Sequence, residues 1–85
     1  MYRYEDLKPE VFKEKNQKMF LAIRERVHKV LKDAGAIMLE NAIAHETGDS
    51  WTQIACVDRL VELGEIEELN YGAIAGQYRI FVKAG

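Results

Sequence analysis

The chain has 85 residues, of which 48% are hydrophobic and 31% are charged, and its formal net charge is −2. This balance is typical of a folded globular domain and excludes a disordered chain. A domain of this length buries only about 60 to 65% of the surface that its unfolded chain exposes, which leaves room for a small core and a surface site but not for a deep catalytic cleft.

The first predicted element is short and belongs to an N-terminal extension, residues 1–15, that packs on the rest of the domain. Pro9 stands where a first helical residue is tolerated, so residues 9–15 are predicted to form a turn of helix. Val11 and Phe12 would then point inward.

The clearest signal is a long helix that begins at Asn16, a residue suited to the N-cap, and ends at Gly35. Apolar residues recur along it at the spacing of one helical face, and the opposite face is charged. The apolar positions are Met19, Phe20, Ile23, Val27, Val30, Leu31 and Ala34.

Two shorter elements follow this helix. Residues 36–38 are too few for a helix and predict a stub of strand. Residues 39–46 carry apolar side chains at helical spacing and predict a second helix, which ends at Thr47 and Gly48.

A third helix is predicted from Ser50 to Gly64, the glycine that ends it. Its first four residues fit the capping box, in which the Ser50 hydroxyl accepts from the backbone N–H of Gln53 and the glutamine side chain returns to Ser50. The inward face is predicted to consist of Ile54, Val57, Leu60 and Val61.

The period of the apolar residues then changes from helical to alternating. Residues 66–69 predict a short strand, residues 70–76 carry turn residues, and residues 77–83 predict a second strand. In that second strand Phe81 shares a face with two cationic side chains. It is therefore either covered by the N-terminal segment or part of a dimer edge.

The order of helix, strand stub, helix, turn, helix and hairpin over residues 17–83 resembles the winged helix-turn-helix domain. A small residue lets two helices cross closely, and a glycine accepts a left-handed turn. The positions similar to those of the family are Ala44, Gly48, Ile54, Val57 and the run 57–66. The resemblance implies an α+β fold, a small winged helix-turn-helix of residues 16–85 with three main helices and a C-terminal β-hairpin wing.

In DNA-binding members of this family the third helix enters the major groove and the wing contacts the backbone or the minor groove. The resemblance therefore implies a DNA-binding transcriptional regulator, or an accessory of one, with double-stranded DNA as partner. The outward positions of the third helix would be Trp51, Thr52, Ala55, Cys56 and Arg59. The candidate DNA-binding residues are Ser50, Thr52, Gln53 and Arg59. The hydroxyls suit phosphates and Arg59 suits guanine, whereas Gln53 can read a base only outside the capping box.

The charge distribution favours a different partner. Residues 1–33 hold nine Lys or Arg against six Asp or Glu, whereas residues 34–85 hold three against eight. Non-specific DNA affinity comes from Lys and Arg beside phosphates, and the predicted wing tip, residues 71–76, contains neither. The alternative is therefore a protein-interaction module with an acidic face on the same fold.

Two apolar residues are the candidate partner-binding residues in this alternative. Trp51 either is an exposed anchor for a protein partner or folds back over the helix-turn-helix junction. Ile74, at the wing tip, either contacts a partner or curls onto the sheet. A third interpretation is homodimerisation through the long first helix and the N-terminal segment.

Enzymatic, metal and membrane functions find little support in the sequence. Cys56 has no cation nearby in the chain to lower its pKa, so a small inert side chain is favoured over an oxidant sensor. With one cysteine and two isolated histidines, no usual zinc spacing is present, and neither a metal nor a cofactor is predicted. The charged N-terminus and the lack of a membrane-length apolar run predict a cytoplasmic protein. An enzyme is not predicted.

Overall fold

A computed structural model describes residues 1–69 and 79–85 of the chain. The predicted wing tip, with Ile74, lies outside the described residues. The helices and strands are α1 (Tyr4–Val11), α2 (Glu14–Ala34), β1 (Ala36–Met38), α3 (Leu39–Ala42), α4 (Ser50–Glu62), β2 (Ile66–Leu69) and β3 (Ile80–Lys83). The α+β class is confirmed, but the described residues form four helices where three main helices were predicted.

The three strands form one antiparallel sheet in the order β1-β3-β2. β3 lies in the middle, so its Phe81 faces Ile37 of β1 on one side and Glu68 of β2 on the other. Phe81 is fully buried, and the guanidinium carbon of Arg79 lies 5.2 Å from the centre of its ring. The predicted alternative of a dimer edge at Phe81 is therefore wrong.

The hydrophobic core lies between α2, α4 and the inner face of the sheet, and α1 packs across α4 from another side. The helical spacing predicted for α2 is confirmed at its centre, since Ile23, Val27 and Leu31 are all buried. The remaining core side chains are Val11, Ile37, Leu39, Ala42, Ala55, Cys56, Val57, Leu60, Ile66 and Phe81. α4 thus has two covered sides instead of one.

The start of the chain differs from the predicted turn of helix. α1 begins at Tyr4 and Pro9 lies inside it, whereas α2 begins at Glu14 with Lys13 as its N-cap. Asn16 is not the N-cap of α2, because its amide donates to the backbone oxygen of Glu10 at 2.7 Å. Asn16 therefore serves the C-terminal end of α1, where carbonyl groups lack helical partners.

The second predicted helix is shorter than expected, since α3 ends at Ala42. Arg26 Nη1 donates to the backbone oxygen of Ala42 at 2.8 Å, and its Nη2 contacts Glu46 Oε2 at 2.6 Å. The guanidinium of α2 thus supplies the Ala42 carbonyl with the donor that a further helical turn would have provided. His45, just beyond, has a φ of 68°, which is incompatible with a continuing helix.

The glycine stops are confirmed, but the capping box predicted at Ser50 is wrong, since Gln53 Nε2 donates to the Gly48 oxygen at 3.3 Å. Gly35 and Gly64 have positive φ angles of 83° and 77° at the ends of α2 and α4. The N-cap of α4 is Asp49, whose Oδ2 accepts from the Thr52 N–H at 3.0 Å and from its hydroxyl at 2.9 Å. A carboxylate is stabilised by the positive end of the helix dipole in a way that a serine hydroxyl is not.

Candidate functional site

The surface of α4 is the predicted site, and most of that helix is covered. Thr52 is 4% exposed and Gln53 is 6% exposed, and Ala55 and Cys56 are fully buried. The prediction that Thr52, Ala55 and Cys56 point outward is wrong. Thr52 and Gln53 cannot reach a DNA base from this position, because their polar groups bond to the turn before α4.

The second cover of α4 is the N-terminal segment, residues 1–12, which we call the N-terminal cover. The Tyr2 hydroxyl donates to Asp58 Oδ2 at 2.6 Å, and the Tyr4 hydroxyl donates to Glu62 Oε1 at 2.7 Å. Burial and these carboxylates raise the pKa of both tyrosines well above the ordinary range. The hydroxyls therefore stay protonated donors at any physiological pH.

Arg59 was predicted to reach guanine, but the structure engages it within the domain. Its Nη1 donates to Glu62 Oε1 at 2.8 Å, and its guanidinium carbon lies 4.9 Å from the centre of the Phe12 ring. Phe12 was expected to point inward and is instead 52% exposed, with the guanidinium stacked on it. DNA contact by Arg59 would require these interactions to break.

Glu62 forms ion pairs with Lys8 and Arg59. Hydrogen bonds from Lys8, Tyr4 and Arg59 lower the pKa of Glu62 from its ordinary 4.5 to about 2. A group with a depressed folded-state pKa stabilises the fold above its unfolded pKa and loses that contribution as the pH falls toward the folded value.

We therefore expect Glu62→Gln to destabilise the protein near neutral pH, with a difference from the wild type that shrinks as the pH falls from about 4.5 to about 2. Urea unfolding at a series of pH values measures that difference. The matched control is Glu67→Gln, an exposed glutamate of β2. A difference for Glu62→Gln that is the same at every pH would contradict the assignment.

A partly buried ionic cluster ties the sheet to α4. Arg79 Nη2 contacts Asp58 Oδ1 at 2.6 Å and Glu68 Oε1 at 2.8 Å, and its Nε donates to Glu68 Oε2 at 2.9 Å. The hydrogen bonds to Glu68 and Asp58 raise the pKa of Arg79. Tyr2 donates to the same Asp58, so the N-terminal cover, α4 and β3 meet at one carboxylate.

What remains accessible on α4 is a narrow stripe, which we call the open strip. At helical spacing it consists of three exposed residues, Ser50, Trp51 and Glu62, and three half-buried ones, Ile54, Asp58 and Val61. Trp51 is 43% exposed, and its ring meets the Tyr2 ring edge-on, with centroids 6.3 Å apart. Trp51 thus packs against the N-terminal cover and still has a large exposed apolar surface.

A cleft of about 550 Å³ opens between α1, the start of α2 and the turn before α4. Lys15, Asn16 and Met19 line it together with Thr47 and Asp49. A smaller neighbouring cleft adds Lys18. Carboxylates and ammonium groups are mixed in these walls, so neither cleft carries one clear charge.

Cys56 is buried on the inner side of α4, and burial raises the pKa of its thiol to about 11. We expect no reaction with a thiol-specific reagent in the folded protein and full reaction in urea, because the thiolate is the nucleophile and it is disfavoured here. If the reagent releases a coloured product when it reacts, the absorbance of that product measures the fraction of Cys56 that has been modified. Rapid reaction under native conditions would show that α4 opens readily.

Neither a metal-binding cluster nor a membrane-spanning helix is present in the part of the chain that the structure describes. Residues 1–69 and 79–85 contain no group of three or more His, Cys, Asp or Glu that could hold a metal ion. Over the same residues, none of the helices combines the length and apolar character needed to cross a membrane.

The residues of the N-terminal cover that contact α4 were not among the predicted site residues. A signal was present, since Tyr4, Leu7 and Val11 follow one helical face. Taking Pro9 as a helix start hid that pattern.

Comparison with protein-family models, with curated proteins and with solved structures finds no match for this chain.

Proposed function

We propose that the chain is a winged helix-turn-helix domain with an additional N-terminal helix, and that it binds a protein partner through the open strip of α4. The order of α2, β1, α3, α4, β2 and β3 agrees with the order that the resemblance implies. α1 is the addition, and it changes which side of α4 is free.

One observation carries the proposal: the open strip presents the exposed ring of Trp51, and its carboxylates are already neutralised. Ile54 and Val61, which were predicted to face inward, pack against the core but are only half-buried, so with Trp51 they extend apolar surface along about 15 Å of helix, given a rise of about 1.5 Å per residue. The carboxylates of Asp58 and Glu62 are occupied by cations of the same domain. Phosphate binding needs spare positive charge, whereas a protein interface favours an aromatic anchor within an apolar stripe.

The partner suited to this surface is a protein with an apolar side chain that packs beside Trp51. Tryptophan is enriched among the residues that dominate binding energy, and Trp51 is held in place by the Tyr2 ring. Anchors that are ordered before binding lose less conformational entropy on association.

The test compares which partner proteins bind to three purified forms of this chain: wild type, Trp51→Ala and Leu21→Ala. Leu21 is a matched control, since it is 54% exposed but lies on α2. A partner identified by mass spectrometry should be lost with Trp51→Ala and retained with Leu21→Ala. Titration of the purified pair by isothermal calorimetry, which needs no tryptophan, should show binding about 30-fold weaker for Trp51→Ala, the loss typical of an anchor residue.

Equal capture by all three forms would contradict the use of the open strip. Trp51→Ala must also be shown to fold, by circular dichroism, before loss of binding counts in favour of the proposal. If that variant does not fold, Trp51→Phe, which keeps the apolar volume only in part, provides the comparison.

Double-stranded DNA is the second candidate, and one observation favours it. Among the ion pairs formed by the described residues, none includes Lys15 or Lys18, and both line the clefts beside the turn before α4. Ser50, at the start of that helix, is exposed. A phosphate here would lie near two ammonium groups, beside a helix N-terminus that the Asp49 carboxylate already caps.

Backbone amide shifts recorded during titration with random-sequence duplex DNA separate the two candidates. DNA binding predicts shifts at Lys15, Lys18 and Ser50 that fade as salt is raised. Unchanged spectra at low salt would leave the protein partner as the proposed function.

A further inference from the structure

The junction between α1 and α2 consists of two residues, and one of them is already helical. Phe12 has φ −81° and ψ −9°, within the right-handed helical region. Lys13 has φ −67° and ψ 139°, so its ψ is the dihedral that leaves that region. Rotation about this bond would join α1 and α2 into one helix over residues 4–34.

Local sequence favours the continuous helix. Residues 10–17 contain neither glycine nor proline, and Glu, Lys and Gln are good helix formers. Pro9 lies inside α1 as the structure stands, so its cost is the same in the bent and the straight form. The bend at Lys13 is therefore imposed by contacts elsewhere and not by a local helix breaker.

Two kinds of contact hold the bend. The first is the packing of α1 on α4, with Val11 in the core. The second is a pair of side-chain bonds: Asn16 Nδ2 donates to the Glu10 oxygen at 2.7 Å, and Gln17 Nε2 donates to the Val11 oxygen at 2.6 Å. In a continuous helix these two carbonyls would accept from the backbone N–H groups of residues 14 and 15.

We propose that two copies of this chain exchange their N-terminal covers. In the exchanged dimer α1 and α2 of each copy form one helix, and α1 packs on α4 of the second copy. The interface is the one already present within a single chain, including the bonds from Tyr2 to Asp58 and from Tyr4 to Glu62. Domain exchange is a low-cost route to a dimer because it re-uses such contacts between identical chains.

The exchange allows the junction to be helical while the contacts of α1 are kept. In one chain, α1 reaches α4 only if the helix breaks at Lys13. In two chains, the same α1 contacts form while the backbone stays helical through residues 10–17. Association costs translational and rotational freedom, so the fraction of the protein in the dimer is expected to rise with protein concentration.

The decisive measurement uses the native sequence. Equal amounts of ¹³C-labelled and unlabelled protein are unfolded together, refolded and concentrated, and the mass is followed by light scattering. An isotope-filtered nuclear Overhauser spectrum then tests the Tyr2 and Trp51 rings, which lie edge-on at 6.3 Å between centroids. A dimer with cross-peaks between labelled and unlabelled chains supports exchange. A monomer at every concentration, or a dimer without such cross-peaks, overturns it.

Two variants move the equilibrium in opposite directions. Asn16→Ala together with Gln17→Ala removes bonds that only the bent form contains, so the dimer dissociation constant should fall by roughly tenfold or more, given two hydrogen bonds per junction. Lys13→Gly disfavours the helix at the junction in both chains and should raise that constant by roughly tenfold or more. Equal dissociation constants for both variants and the wild type would also overturn the proposal.

Discussion

Replacing Phe81 by alanine is expected to lower the free energy of unfolding by about 3 to 5 kcal/mol, the usual cost of removing a buried phenylalanine. Phe81 is fully buried in the middle strand of the sheet, between β1 and β2. A domain of ordinary stability has only about 5 to 15 kcal/mol in total. We therefore expect Phe81→Ala to be largely or wholly unfolded at moderate temperature, as measured by urea unfolding followed by circular dichroism.

Phe12 is the matched control, since the same side chain is removed from the surface. Phe12 is 52% exposed and carries the Arg59 guanidinium on its ring, so Phe12→Ala should cost about 1 kcal/mol or less, the value of an exposed cation–π contact. Similar losses for the two variants would contradict the core position of β3.

Replacing Arg79 by methionine is expected to cost about 3 to 5 kcal/mol, the range measured when one partner of a buried ion pair is removed. Its side chain is 17% exposed and bridges Asp58 of α4 and Glu68 of β2. Without the guanidinium, two carboxylates are left close together and largely out of water. The free energy of unfolding from urea titration near neutral pH measures the loss.

The neutral triple variant separates charge from packing. Asp58→Asn and Glu68→Gln, added to Arg79→Met, remove the unpaired charges, so most of the lost stability should return. As a surface control, Arg24→Met breaks an ion pair with Glu65 and should leave stability nearly unchanged. If the triple variant is no more stable than Arg79→Met alone, the loss comes from packing and not from charge.

Arg79 bears on function because it helps to hold in place the surface that the partner would contact. The Arg79 cluster fixes Asp58, and Asp58 accepts from the Tyr2 hydroxyl. Tyr2 in turn supports Trp51, the largest exposed side chain of the open strip. A substitution that weakens the ion pairs of Arg79 but leaves the fold intact should therefore also weaken the proposed protein binding.

The elements that local sequence specifies were predicted well. The apolar spacing of α2, the stub of β1, the span of α4 and the short strand β2 are confirmed. Gly35 and Gly64 end their helices with positive φ angles, as predicted. Each of these features depends on residues within one or two turns of the chain, where periodicity and glycine conformation are informative.

The predicted start and end points were less accurate where a side chain from elsewhere intervenes. Asn16 looked like an N-cap, but it serves the end of α1. α3 was expected to continue to residue 46, but Arg26 binds its last carbonyl. In both cases a side chain competes with the backbone for a hydrogen bond, which propensity alone does not show.

Sequence by itself determined that this protein has a mixed α+β class, a short strand and a short helix between its two long helices, and one strongly apolar face on each long helix. Only the tertiary structure decided which side of α4 is free. Tyr2, Tyr4 and Lys8 reach carboxylates that follow them by 54 to 58 positions in the chain. Periodicity reports the face that a helix buries against its core, whereas a second covered face depends on another segment folding onto it, and no local pattern in α4 records that contact.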